Sequence, residues 1–159
     1  MLEGGEDPKF IARRMIVLAS EDIGNADPAA LTLATSCFTA VDYVGMPEAQ
    51  IILAQAATYL ASCPKSNASY AAISAALADV RSKPQESVPL HLRNATTGLM
   101  NDLGYGKDYR YSHNYDQHFV EQQYLPDGVK DKLYYRPTEI GEAKSIRERL
   151  NAWWKKKQR

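Results

Sequence analysis

Prolines and glycines divide the first half of this chain into segments that leave room for little except short, antiparallel helices. Asp7-Pro8 and Asp27-Pro28 each place an N-cap carboxylate before a proline suited to the first helical turn. After the first signal, Phe10, Ile11, Met15 and Leu18 fall at helical spacing, and Gly24 closes the segment. After the second, Leu31, Ala34, Phe38 and Val41 form one stripe, and Gly45 closes it. Pro47 opens a third helix, through Ile51, Ile52, Gln55 and Tyr59 to about Cys63, where Pro64 stops it. Ser66 is expected to cap a fourth, in which Tyr70, Ile73, Leu77 and Val80 recur at i, i+3, i+7 and i+10 before Pro84. Short connections make neighbouring helices antiparallel. The alanines at 54, 56, 57, 71, 72, 75, 76 and 78 stabilise helices and let their axes approach closely.

The pattern changes after Pro84. A short helix from about Thr96 to Leu103 is expected to end at Gly104. Residues 105–138 hold seven of the ten tyrosines, with a short extended piece near Lys132–Arg136. Pro137-Thr138 leads into a last helix over about 139–157, with Ile146, Leu150 and Trp153 on one face. The expected fold is therefore all-α: a single domain over 1–159, with a helical body over about 7–104 and an irregular segment over 105–138. At 159 residues, 45% hydrophobic and 24% charged, such a chain can bury a core and is globular rather than disordered. Met1 to Glu6 reads as a helix end followed by a turn, as in a piece of a longer protein.

Net charge is zero, which gives no overall drive towards nucleic acid or an anionic membrane. The charge is nonetheless uneven. Residues 1–80 carry four Lys/Arg against nine Asp/Glu, whereas residues 141–159 carry seven against two. The two ends could attract each other, within one chain or between chains, or the basic end could meet an acidic partner. Cys37 and Cys63 sit in apolar helical contexts and read as buried free thiols in a reducing cytosol. No apolar run is long enough for a membrane span, and the first residues lack the apolar core of a signal peptide.

Few side chains suggest chemistry. His113 and His118 flank Asp116, but their spacing is not the i, i+4 pairing of a helical metal site, so they read as ordinary hydrogen-bonding histidines. Ser112, His113 and Asp116 do not make a triad by proximity alone. Glu21 and Asp22 read as structural, with Asp22 meeting Arg13 or Arg14 or capping nearby backbone. The tyrosines, Tyr105, Tyr109 and Tyr111 among them, are interleaved with Lys107, Arg110 and Arg136. They could stack on single-stranded nucleic acid; charge neutrality favours rings that pin an irregular segment. His91, Arg93 and Asn94 stand in a proline-bounded loop, where they could recognise a partner or tie up their own backbone. Trp153 and Trp154 precede Lys155 to Arg159, which reads as a solvated basic helix end or a contact for phosphate or an acidic tail.

Taken together, several motifs resemble the C-terminal region of the MgsA/RarA family of AAA+ ATPases. They are Glu6-Asp7-Pro8, Ile11-Ala12-Arg13-Arg14, Ala19 to Gly24, Ala26-Asp27-Pro28 and Pro64-Lys65-Ser66-Asn67. Pro89 to Asn94, Leu103 to Lys107, Tyr124-Leu125-Pro126, Tyr135 to Thr138, and Arg149-Leu150 with Trp153 continue the series in order along the chain. The resemblance implies a domain similar to the clamp-loader C-terminal collar, which joins subunits into a tetramer. It also implies a parent that acts in replication-fork maintenance and recombination, with DNA-dependent ATPase activity and association with single-strand-binding protein. The chain lacks the Gly-x-x-x-x-Gly-Lys-Ser/Thr phosphate loop, so ATP and Mg2+ are expected in another module and no catalytic or cofactor residue is carried over. Two functions follow as expectations. One is self-association; the other is a partner- or DNA-binding module that uses the basic tail and the tyrosine segment.

Overall fold

The computed structural model describes residues 1–82 and 86–154. Among them there are six α-helices and no strand: α1 (Pro8–Leu18), α2 (Ala29–Val44), α3 (Ala49–Ser62), α4 (Ala68–Ser82), α5 (Gly98–Asp102) and α6 (Ala143–Trp153). The chain forms two compact units. The first comprises Met1–Ala76 with Tyr134–Arg149; the second comprises Leu77–Leu133 with residues from Leu150 onward. The stop expected at Pro84 and the tail Lys155 to Arg159 lie outside the described residues.

In the first unit, α1, α2 and α3 pack on one another. Both Asp-Pro signals act as their chemistry requires. Asp7 Oδ1 accepts from Lys9 N at 2.8 Å, and Asp27 Oδ1 accepts from Ala29 N at 3.1 Å, each satisfying an otherwise orphaned first-turn donor. Beyond Leu18 the helix widens into a π-turn, Ala19–Ile23, before Gly24. Pro47 lies in the α2–α3 turn rather than inside α3, which begins at Ala49. Lys65 Nζ donates to the Leu60 and Cys63 carbonyls, both at 3.4 Å, and closes the end of α3.

The buried faces are smaller than the largest side chains suggest. In α2 they are Ala30, Ala34, Cys37 and Val41; in α3, Ala49, Leu53, Ala56 and Leu60; in α1, Ile11 and Ala12. Phe10, Leu31 and Ile51 are exposed. Each packing face thus centres on alanine, which permits closer approach than a Phe or Ile face, and the bulky residues border it. Ile23 and Leu60 are the largest side chains that are fully buried.

The α4 start is displaced by one residue from the expected cap. The helix begins at Ala68, where the Asn67 carbonyl accepts Ala71 N at 2.9 Å, while Ser66 is buried and its N–H donates to the carbonyls of Asp22 (2.8 Å) and Ile23 (3.2 Å). The last helix begins at Ala143 rather than near Glu139. Gly141 adopts φ +54° just before it, and Glu142 N donates to Ala26 O at 2.9 Å, so these residues form a docking turn. In the second unit, α5 is shorter than expected, and Thr97 Oγ1 accepts from Met100 N at 3.3 Å as its cap. Residues 132–138 pair in no ladder; Lys132 instead bridges to Asp79 at 3.4 Å.

Candidate functional site

The apolar stripe of α4 faces water: Tyr70 is 52% exposed, Ile73 55%, Leu77 42% and Val80 66%, and within this helix Ala68 alone is buried. Residues spaced at i, i+3, i+7 and i+10 share one side of a helix. Fully burying an aliphatic side chain of this size is worth roughly 1.5–3 kcal/mol. A row left in water is therefore a face that stability alone does not explain.

A polar knot lies within the first unit. The Tyr59 hydroxyl donates to Asp27 Oδ2 at 2.8 Å, and Cys63 Sγ lies 3.3 Å from both that oxygen and the Tyr59 carbonyl, with one S–H proton for either. The Tyr59 bond holds the Asp27 carboxyl below the usual carboxylate range, against the opposing effect of burial. The same bond pushes the Tyr59 hydroxyl up, and burial, followed by the Asp27 contact, pushes the Cys63 thiol up. The sign of the linkage follows. Because Asp27 is depressed in the fold, its contribution is complete above the unfolded value of about 4 and is lost as pH falls through the folded value. Asp27→Asn should be less stable than the parent at neutral pH, and the gap should close below about pH 4. Urea midpoints measured across pH 2–7 check this, and a gap that persists at the acid end contradicts it.

Asn25 joins the same unit to the segment before α6. Its Nδ2 donates to the Tyr135 hydroxyl at 2.9 Å. The expected pairing of Asp22 with Arg13 or Arg14 is not formed. Those residues lie eight or nine positions apart, about 12–13 Å along a helix axis, which is too far for the side chains to meet. Arg13, Arg14, Glu21 and Asp22 are exposed and have no side-chain partner among the described residues. Asp22 contributes its backbone carbonyl to Ser66, as described above. Asn67 is likewise exposed at the start of α4.

In the second unit, the His91 and Arg93 loop is occupied with its own surroundings. His91 Nε2 is 2.8 Å from Gln123 O. Arg93 Nε donates to Val88 O at 2.6 Å and NH1 donates to the Tyr105 hydroxyl at 3.2 Å, while its guanidinium sits 5.1 Å from the centre of that ring. Asn94 is exposed. Leu90, His91, Lys107, Arg110 and Gln122 line an open cleft of about 500 Å³. Gln122 Oε1 is buried and has no hydrogen-bond partner among the described residues. Nothing in the sequence pattern singles out Gln122, because its environment depends on how the loop returns. Trp153 stacks on Phe119 (5.3 Å between centres, 11° between planes), and Trp154 meets Phe119 edge-on. Tyr109 and Tyr111 are half-exposed.

His113 and His118 stand on two short 3-10 turns, Ser112–Asn114 and Asp116–His118. Neither imidazole hydrogen-bonds any described residue. Instead their rings lie 5.0 Å apart, and Tyr111 lies 5.0 Å from His113. Ser112 and Asp116 make no triad contact with His113 among the described residues.

These features define a helical domain whose most distinctive surface is an apolar helix face. Residues 1–154 match the family described as MgsA AAA+ ATPase C terminal, and the chain belongs to that family. Replication-associated recombination protein A of Escherichia coli K12 is 45% identical over 154 residues, covering 96% of this chain and 34% of that protein. Its namesake in Bacillus subtilis is 46% identical over 145 residues, covering 91% of this chain and 34% of that protein. ATPase WRNIP1 of Dictyostelium discoideum is 47% identical over 139 residues, covering 85% of this chain and 16% of that protein. The chain thus spans about a third or less of the length of these relatives. Among the described residues, no helix is long and apolar enough to cross a membrane.

Proposed function

We propose that this chain is the self-association domain of a AAA+ ATPase that works in replication-associated recombination, and that it assembles as a tetramer. The exposed stripe Tyr70, Ile73, Leu77 and Val80 carries the reading. A row of this length on one helix is suited to burial against a second copy through a self-complementary contact; that contact pairs two chains, and a tetramer adds a second interface between such pairs. Family membership and the names of the relatives supply the context of the parent. In this reading ATP and Mg2+ bind a separate module, and DNA and single-strand-binding protein are met by the whole protein in a bacterial cytoplasm. The collar-like domain holds several such modules at high effective concentration, so that one can complete or regulate its neighbour's site. Sedimentation velocity over a wide concentration range tests it. A species of four chains that persists on dilution is expected; a single monomeric boundary throughout defeats the reading.

A further inference from the structure

We propose that His113 and His118 together hold a divalent transition-metal ion of the zinc type. They stand five positions apart, which on a helix would turn the side chains to different sides. The backbone here is not helical in that sense. Two short 3-10 turns, Ser112–Asn114 and Asp116–His118, fold the segment back on itself, and Gln117 and His118 take left-handed φ of +55° and +54°. The result is a pair of imidazoles with ring centres 5.0 Å apart and planes at 47°.

That separation suits shared coordination. With a metal–nitrogen bond of ~2.0–2.1 Å, each ring centre lies ~3.2 Å from the ion. Two such rings at angles between about 90° and 110° then stand about 4.5–5.2 Å apart. The observed spacing of the ring centres falls inside that interval. Both side chains are exposed, and neither imidazole is hydrogen-bonded to a described residue, so their nitrogens are available to a ligand. His91 is the contrast, since its Nε2 is engaged by Gln123 O. Tyr111 packs beside His113, at 5.0 Å, and limits the positions that ring can take. Among the described residues no third His, Cys, Asp or Glu joins the pair, so water fills the remaining positions and the ion stays open to exchange. Imidazole favours Zn2+, Ni2+ or Cu2+ over Mg2+ or Ca2+, which require oxygen ligands.

Calorimetric titration of the chain with ZnCl2, with MgCl2 as the comparison, tests this. One saturable Zn2+ site per chain is expected, with no matching Mg2+ binding. His113→Ala and His118→Ala should each weaken Zn2+ binding at least tenfold, whereas His91→Gln should leave it unchanged. Far-UV circular dichroism confirms that the two exposed substitutions leave the helices intact. As an independent reading, the imidazole 15N shifts of His113 and His118 should both move on adding Zn2+. Unchanged affinity in either alanine variant, or shifts confined to other residues, overturns the proposal and leaves an adventitious ion only.

Discussion

Gly141→Ala is expected to destabilise the first unit by roughly 3–4 kcal/mol, among the larger effects a single methyl can have. The residue sits at φ +54°, where a side chain is already strained. A Cβ there would lie 2.1 Å from the Ala26 carbonyl oxygen and 3.0 Å from its carbon. That oxygen is also the acceptor for Glu142 N, the bond that docks the turn before α6. The obstruction is backbone, so no rotamer change relieves it. Gly24→Ala should behave alike. It has φ +51°, and its Cβ would lie 2.5 Å from Ser66 O, beside the bonds from Ser66 N to Asp22 and Ile23. Gly4 is the matched comparison, because a methyl added there would meet nothing within 4 Å. Its replacement by alanine should change stability by less than about 0.5 kcal/mol. Urea denaturation of the three variants checks the ranking. Gly141→Ala behaving like Gly4→Ala would mean that the turn is not docked as described.

Ile73→Glu combined with Val80→Glu should disperse the assembly while leaving the chain folded. Both residues are more than half exposed in the single chain, so their replacement removes little intramolecular packing. In a self-complementary interface the same two carboxylates recur on every copy. Burying them unpaired costs several kcal/mol per charge, more than such contacts can return. Unchanged helix content with a loss of assembly is the expected combination.

The ends of the helices were legible because their signals are local. Asp7-Pro8, Asp27-Pro28 and Gly45 act within a turn of themselves, and the structure uses them accordingly. The sides of the helices were less legible. Periodicity finds a stripe but does not say what covers it; the stripe of Tyr70, Ile73, Leu77 and Val80 faces water. In α2 and α3 the inward face centres on Ala34 and Ala56 because close approach rewards small residues, a choice that bulk alone does not reveal. The Asp27–Tyr59–Cys63 knot and the His113–His118 pair were hidden for different reasons. The first joins residues more than thirty positions apart, and the second depends on two left-handed residues that composition does not announce. Among the loop candidates, His91 meets the Gln123 carbonyl, and Arg93 meets the Val88 carbonyl and Tyr105, contacts set by how the chain folds back.

The central claim is that this domain associates with itself through α4. Light scattering coupled to gel filtration, run on the parent chain and the Ile73→Glu/Val80→Glu variant side by side, addresses it most directly. A mass of four chains is expected for the parent and a smaller mass, of two chains or one, for the variant. A parent that is monomeric at the highest concentration, or a variant that keeps the parent's mass, would contradict it.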